Sequence, residues 1–408
     1  MVIEAQICDV WGDPIGGGTI IHTSEGGGCS VHEPLNDSRT ARCTISAYDG
    51  IARKVRPLDR VLAVTYGPYL IFKGVILSVR KDFAAGRVEI AAHDPSIKLK
   101  HHYHQYGDRA VSYGYPLDGI GMRTLIESSL PTGEELDHDI PPNGILWGYD
   151  NTTRQGPKPS DPKNPAPGDG IWRRVRRHEN VWQSVQNLAA LDEVGPDFRL
   201  RPVDRDHPGR MGGWAPGFFT ELDTNDRLGE DKFDEVIFEH GTGNDNCENV
   251  IHEPDGSVVR NWFAYVYPGG QRNSKDNERL AISRGWSSIE DYGLMQGLES
   301  SGQTGDVKDV LRKKAREWVK AYGRPPNFFQ VMPRVDSVDN VPQYSGGLGS
   351  GGHNFRVGDT IRARADNGYT DVDLIGRIDA VDINSIDQAG NVKVTLNCVP
   401  TIDPPDAS

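Results

Sequence analysis

Long hydrophobic runs are missing from this 408-residue chain. No window of about 18 apolar residues occurs, so a transmembrane helix is not supported. The N-terminus, MVIEAQICDVWGDP, carries the acids Glu4, Asp9 and Asp13 and no basic segment, and does not read as a signal peptide. Cysteine is scarce: Cys8, Cys29, Cys43, Cys247 and Cys398 are scattered, odd in number, and form no C-x-x-C pair. A disulfide framework or a cysteine zinc site is therefore not expected, and the chain reads as one made in a reducing cytoplasm. Positive charge is also short. Lys and Arg total 45 against 58 Asp and Glu, a net of −13. A general binder of nucleic acid or of anionic membrane needs a basic face and is disfavoured.

Catalytic and ligand motifs are equally thin. There is no G-x-S-x-G nucleophile elbow, and Gly241-Thr242-Gly243-Asn244 lacks the G-K-[ST] of a phosphate loop. His32-Glu33-Pro34 and His252-Glu253-Pro254 start like H-E-x-x-H, but no second His follows and Pro would break the helix. Asp223-Thr224-Asn225-Asp226-Arg227 opens like a calcium loop without its later Gly and Glu. His101-His102-Tyr103-His104, with His93 and Asp94 nearby, is the most metal-like cluster; a solvated polar turn is the favoured reading. Asp137-His138-Asp139 has no evident nucleophile beside it. Arg173-Arg174-Val175-Arg176-Arg177, the one dense basic run, reads as a solvated or salt-bridged strand, or as a contact to an acidic partner. Trp147 and Trp214, each beside Gly, are the tryptophans left open for carbohydrate; Trp182 and Trp318 sit on helical stripes and read as core. No catalytic, cofactor or metal residue is assigned, and neither enzyme activity nor a cofactor is expected.

What the chain has is glycine (47), proline (27) and short alternating apolar runs. That pattern gives a β-rich α+β class, with two similar small β-barrel domains flanking a middle α+β region. Residues 1–34 read as a glycine-rich arm, 35–100 as the first barrel, 101–342 as the middle domain, 343–354 as a Gly-rich linker and 355–408 as the second barrel. The middle carries a Pro/Gly-rich insertion at 140–170 and is a candidate to return strands to the first barrel. Helices are expected over 117–131, over 180–194 capped by Asn180, and over 306–322. The last buries Val307, Val310, Leu311, Ala315, Trp318, Val319 and Tyr322.

The two barrels look like copies. Leu58-Asp59-Arg60-Val61 aligns with Gly358-Asp359-Thr360-Ile361, Gly74-x-Ile76-x-x-Val79 with Gly376-x-Ile378-x-x-Val381, and Gly86-Arg87-Val88 with Gly390-Asn391-Val392. Order, turns and strand phase agree at an offset of about 300 residues. Two similar units per chain let a cyclic trimer present six in a ring.

Three stretches carry a family resemblance: LDRVLAVTYGPYLIFKGVILSV in the first barrel, Ser288-Ile289-Glu290-Asp291-Tyr292-Gly293 ahead of the helix with Leu311, Ala315 and Trp318, and Val357-Gly358-Asp359-Thr360-Ile361. In these the chain resembles phage tail hub proteins. These include the trimeric baseplate hub of contractile tails and the Gp37-like minor tail proteins of actinobacterial siphophages. Residues 96–270 depart from that pattern. The resemblance implies a structural homotrimer at the tail tip of the virion, assembled in the host cytoplasm. Its partners would be the distal tail protein ring, the tape measure protein and other tip or fibre proteins. The genome would pass through its channel unbound, and acidic walls would repel DNA phosphates. Asp59, Gly74, Asp359 and Gly376 are expected to shape barrel strands, and Tyr292, Gly293 and Trp318 to pack the middle domain. The rival readings are a receptor- or carbohydrate-binding tail module and a tail-associated cell-wall hydrolase.

Overall fold

The computed structural model describes residues 3–9, 14–15, 28–67, 69–103, 110–111, 145–151, 173–174, 180–189, 196–202, 220–225, 227–268, 278–300, 308–334, 342–344, 354–385 and 392–400. The chain opens with β1 (Ile3–Cys8), β2 (Cys29–Pro34), β3 (Thr40–Ser46), β4 (Val61–Tyr66), β5 (Tyr69–Asp82), β6 (Arg87–His93) and α1 (Ser96–Lys100). The middle supplies β7 (Ala110–Val111), β8 (Ile145–Asn151), β9 (Arg173–Arg174), α2 (Val181–Ala189), β10 (Asp197–Pro202), β11 (Thr220–Asn225), β12 (Ile237–His240) and β13 (Cys247–Pro254). It continues with β14 (Trp262–Pro268), β15 (Glu278–Arg284), α3 (Trp286–Tyr292), β16 (Gln296–Ser300), α4 (Lys308–Tyr322) and β17 (Asn327–Pro333). The end is β18 (Thr360–Asp366), β19 (Asp371–Ser385) and β20 (Val392–Pro400).

Twelve of these strands join one sheet. Its path runs β1-β4-β5-β6-β3-β2-β19-β20-β17-β13, with β18 on β19 and β12 on β18. The first six strands in the path make one half. The second half, β12-β18-β19-β20-β17-β13, repeats the order and the antiparallel pairing of the first, except that β12 runs parallel to β18 where β1 runs antiparallel to β4. The class is thus β-rich α+β, as the sequence implies.

Closed barrels are not observed. Among the described residues β1 comes within 8 Å of β2, but no ladder joins them. β2 instead turns its second edge to β19, from Ser30↔Asn384 to Pro34↔Ala380, and fuses the halves into one surface. β12 and β13 are closed by a short turn in which Asn246 N donates to Glu239 O at 3.1 Å and Glu239 N donates to Asn246 Oδ1 at 2.7 Å. The strands that the middle of the chain returns, β12, β13 and β17, join the half that holds 355–400 rather than the first half.

One apolar core runs through both halves, from Ile45, Leu62, Phe72 and Ile76 to Phe238, Phe329, Ile361, Ile378 and Leu396. An aromatic chain crosses it. Tyr66 on β4 meets Tyr344 at 6.4 Å between centroids, Tyr344 meets Phe355 at 6.1 Å, and Phe355 meets Phe238 on β12 at 5.6 Å. Both ends of the Gly-rich 343–354 stretch are therefore tied into the core.

Two smaller layers complete the chain. In the sheet β10-β11-β8, β10 lies by β5 of the first half and its Phe198 meets Trp182 of α2, which packs on α1. Asn180 caps α2, its Oδ1 accepting from Gln183 N at 3.1 Å, and Val181, Trp182 and Val185 are buried. In the sheet β15-β14-β16, Phe263, Tyr265 and Ala281 pack against Leu311 and Ala315 of α4. Trp318 stacks on Phe263 at 4.9 Å and 2°. Gly323 N donates to Val319 O at 2.8 Å and ends the helix where the sequence places its stop. The helix expected over 117–131 and the insertion 140–170 fall mostly outside the described residues; of the insertion only the β8 segment is described.

Candidate functional site

The repeat is geometric as well as sequential. Gly74 pairs with Leu62 and Gly376 with Ile361, each facing the preceding strand of its half. A Cβ on Gly74 would overlap His93 O and the Phe72 ring; one on Gly376 would overlap the Phe329 ring and lie 2.9 Å from Val399 O. Each glycine thus lets two backbones approach, just ahead of a register shift that falls between Ile76 and Ser78 in β5 and between Ile378 and Ala380 in β19. The entry turns also match. Leu58 N donates to Ile76 O at 2.8 Å, and Gly358 N to Ile378 O at 2.9 Å.

Asp59 and Asp359 share a backbone position but not a role. Asp59 is half-exposed and pairs with Arg60 at 2.8 Å. Asp359 is fully buried, accepting from Glu230 N at 2.8 Å and from Arg356 N at 3.0 Å. Burial raises its carboxyl above the ordinary range, against the pull of the Glu230 amide, Arg356 and Lys232. The other predicted positions divide in the same way. Trp318 packs from α4 onto Phe263. Gly293 takes φ 77° after α3, its N donating to Ile289 O. Tyr292 is 45% exposed at the end of α3 rather than inside the middle domain, and the turn after it is held by the buried Asn261 amide, which donates to Gly293 O at 2.7 Å and accepts from Met295 N at 2.8 Å.

Three charged pairs near the junction of the halves were missed by the sequence reading, and of these His32–Asp382 crosses it. Arg39 and Glu33, each 2% exposed, form an ion pair. Arg39 Nη1 also donates to Ile71 O at 3.1 Å, and its backbone N to Asp94 Oδ2 at 2.7 Å. Arg377 of β19 donates to Asp197 of β10 and to Leu228 O, tying the second half to the side sheet. At the β2–β19 pairing His32 Nδ1 bonds Asp382 Oδ1 at 2.7 Å, beside a groove of about 260 Å³ lined by Ser30, Thr40, Arg42 and Asn384. The Asp382 bond raises the His32 pKa above its ordinary value, with burial opposing. A charged residue breaking the apolar face of a strand, as Glu33 does after Cys29 and Val31, was the available signal.

The motif-like clusters dissolve into local structure. Asp94 Oδ1 takes Ser96 N at 3.1 Å and the Ser96 hydroxyl, a turn cap. His102 is held below the usual histidine range by burial and by Lys98 and His101. Asp223 pairs with Arg199 at 3.2 Å and Arg201 at 3.1 Å. Gly241 N donates to Asp245 in the β12–β13 turn. His104, Asp137-His138-Asp139, Trp214 and Arg176-Arg177 lie outside the described residues. No group of three or more metal-ligating side chains converges among the described residues.

Several large apolar side chains remain exposed. Tyr48, Phe83 and Tyr369 stand 85–97% exposed on turns of the large sheet. On the sheet β15-β14-β16 the face opposite α4 carries Leu280 and Leu298, opposite because Phe263, their neighbour in alternation, faces Trp318. Trp286, Leu294 and Met295 adjoin it, also exposed.

No family model matches the chain, and no curated protein matches it. Solved structures do. The tail protein from Neisseria meningitidis MC58 aligns over 100% of this chain and 99% of its own, with TM-score 0.56 and 10% identity. The 43 kDa tail protein of prophage MuSo2 from Shewanella oneidensis aligns over 97% of both chains, TM-score 0.56 and 11% identity. A chain of the Francisella PdpA–VgrG complex aligns over 99% of this chain and 54% of its own, TM-score 0.50 and 10% identity. The chain has the fold of phage tail proteins, and the two tail proteins share it from end to end. No helix of the described residues is long and apolar enough to cross a membrane.

Proposed function

We propose that this chain is a structural hub subunit of a phage tail, non-enzymatic, forming a homotrimeric ring at the tail tip of a siphovirus virion. The observation that carries the reading is the duplicated half-sheet within a tail-protein fold. Two barrel-like halves per chain give six similar units in a trimer, a surface that fits a sixfold distal tail ring. The apolar face with Leu280 and Leu298, and the exposed Tyr48, Phe83 and Tyr369, exceed what isolated surface residues require and supply contact area for neighbours. The tape measure protein and tip or fibre proteins are the remaining partners. The net charge of −13 favours a channel through which DNA slides rather than sticks. The test is the mass of the full chain by light scattering, alone and with a distal tail ring protein. A trimer, or a monomer that trimerises on the ring, supports the hub. A monomer that ignores the ring, together with glycan-array binding or clearing of cell wall in a zymogram, would replace it by one of the rival readings.

A further inference from the structure

We propose that Cys29 and Cys43 are a redox-modification site, closing to a cross-strand disulfide when the protein meets a small-molecule disulfide. The two residues lie directly opposite in the β2–β3 ladder. Thr44 N donates to Gly28 O at 3.0 Å, so residues 28 and 44 form a hydrogen-bonded pair. Alternation along the ladder then makes Cys29 and Cys43 a non-hydrogen-bonded pair, whose Cα atoms stand about 4.5 Å apart. That spacing lies in the range of about 4.4–6.8 Å that a disulfide spans. Both side chains are buried in the core.

The other three cysteines have no such partner across their ladders. Cys8 faces Val61, Cys247 faces Pro333 with its Sγ donating to Glu239 O, and Cys398 faces Phe329 and Ile378. The neighbouring Cys43 thiol and burial hold the Cys29 thiol well above its ordinary pKa. Opening of the β2–β3 hairpin frees one thiolate. It attacks the oxidant RSSR, expelling RS⁻ and forming a mixed disulfide; the second thiolate attacks the protein sulfur and expels the other RS⁻. Two protein thiols are oxidised, one RSSR is reduced to two thiols, and two protons leave the protein. The bond would fasten β2, the strand that joins the halves, to β3.

The experiment treats the full chain with oxidised glutathione, alkylates the remaining thiols, and maps unreduced peptides. The expected result is a loss of two hydrogens, one linked peptide pair joining Cys29 to Cys43, and alkylated Cys8, Cys247 and Cys398. The thermal midpoint rises, dithiothreitol reverses the rise, and Cys43→Ser shows none. Five alkylated thiols after prolonged oxidation, a glutathione adduct that persists on either residue, or links elsewhere would overturn the proposal. The peptide map is read on the unmutated chain, so it decides even where Cys43→Ser folds poorly.

Discussion

Leu58 occupies a backbone conformation that its repeat partner meets with glycine. Its φ is +62°, that of Gly358 is +96°, and each donates its N–H to the equivalent isoleucine carbonyl. In the left-handed region a Cβ crowds the following carbonyl at a cost of about 1–2 kcal/mol. Replacing Leu58 by Gly removes that cost and adds about 0.5–1 kcal/mol of chain entropy lost on folding. The side chain is 71% exposed, so little burial is forfeited. Leu58→Gly is expected to stabilise the protein by about 0.5–1 kcal/mol. Leu58→Ala keeps the Cβ and should change nothing. The reverse move at the partner site, Gly358→Ala, adds the same crowding and sets a Cβ 2.6 Å from Leu228 O. It should destabilise by about 2–4 kcal/mol. Urea unfolding followed by far-ultraviolet circular dichroism measures all three, with an unchanged slope showing that stability alone has moved. A Leu58→Gly variant no more stable than Leu58→Ala would refute the reasoning, because the Cβ would then carry no strain.

Four further outcomes are expected. Gly74→Ala should cost about 1–3 kcal/mol in thermal unfolding, and more than an alanine on an exposed strand position, since the His93 carbonyl it meets is backbone. Arg39→Met alone leaves Glu33 buried and unpaired and should cost about 3–5 kcal/mol; the double variant Arg39→Met, Glu33→Leu should recover much of that in the same denaturation assay. The folded pKa of His32 is raised, so its contribution is complete below its unfolded value of about 6.5 and is lost as pH climbs through the folded value. His32→Gln should flatten the decline in stability between those two values, as read by thermal midpoints across a pH series. Leu298→Asp should lower the assembled mass in light scattering while leaving the thermal midpoint of the protomer within error; an unchanged mass would remove this face from the assembly.

Local features of the fold were readable because local chemistry causes them. The stripe of Leu311, Ala315 and Trp318, stopped by Gly323, becomes α4, and Asn180 becomes the cap of α2. Gly74 and Gly376 stand out in their strands because backbone approach there excludes a side chain. Which strands pair was not readable. β2 meets β19 across some 350 residues of sequence, a pairing set by long-range packing and bridged by His32–Asp382, neither of which leaves a local period. The same holds for Asp59 and Asp359. Their sequence contexts match, but only the second finds Glu230 and Arg356 in space.

The continuous pairing of β2 with β19 has a consequence for how such a molecule can change over generations. Six identical subunits in a ring would have to mutate in concert. With both halves on one polypeptide, each can drift alone, as Leu58 against Gly358 and Asp59 against Asp359 already record. A ring of three such chains would keep only threefold symmetry in its details, free to match one neighbour with its odd positions and another with its even ones.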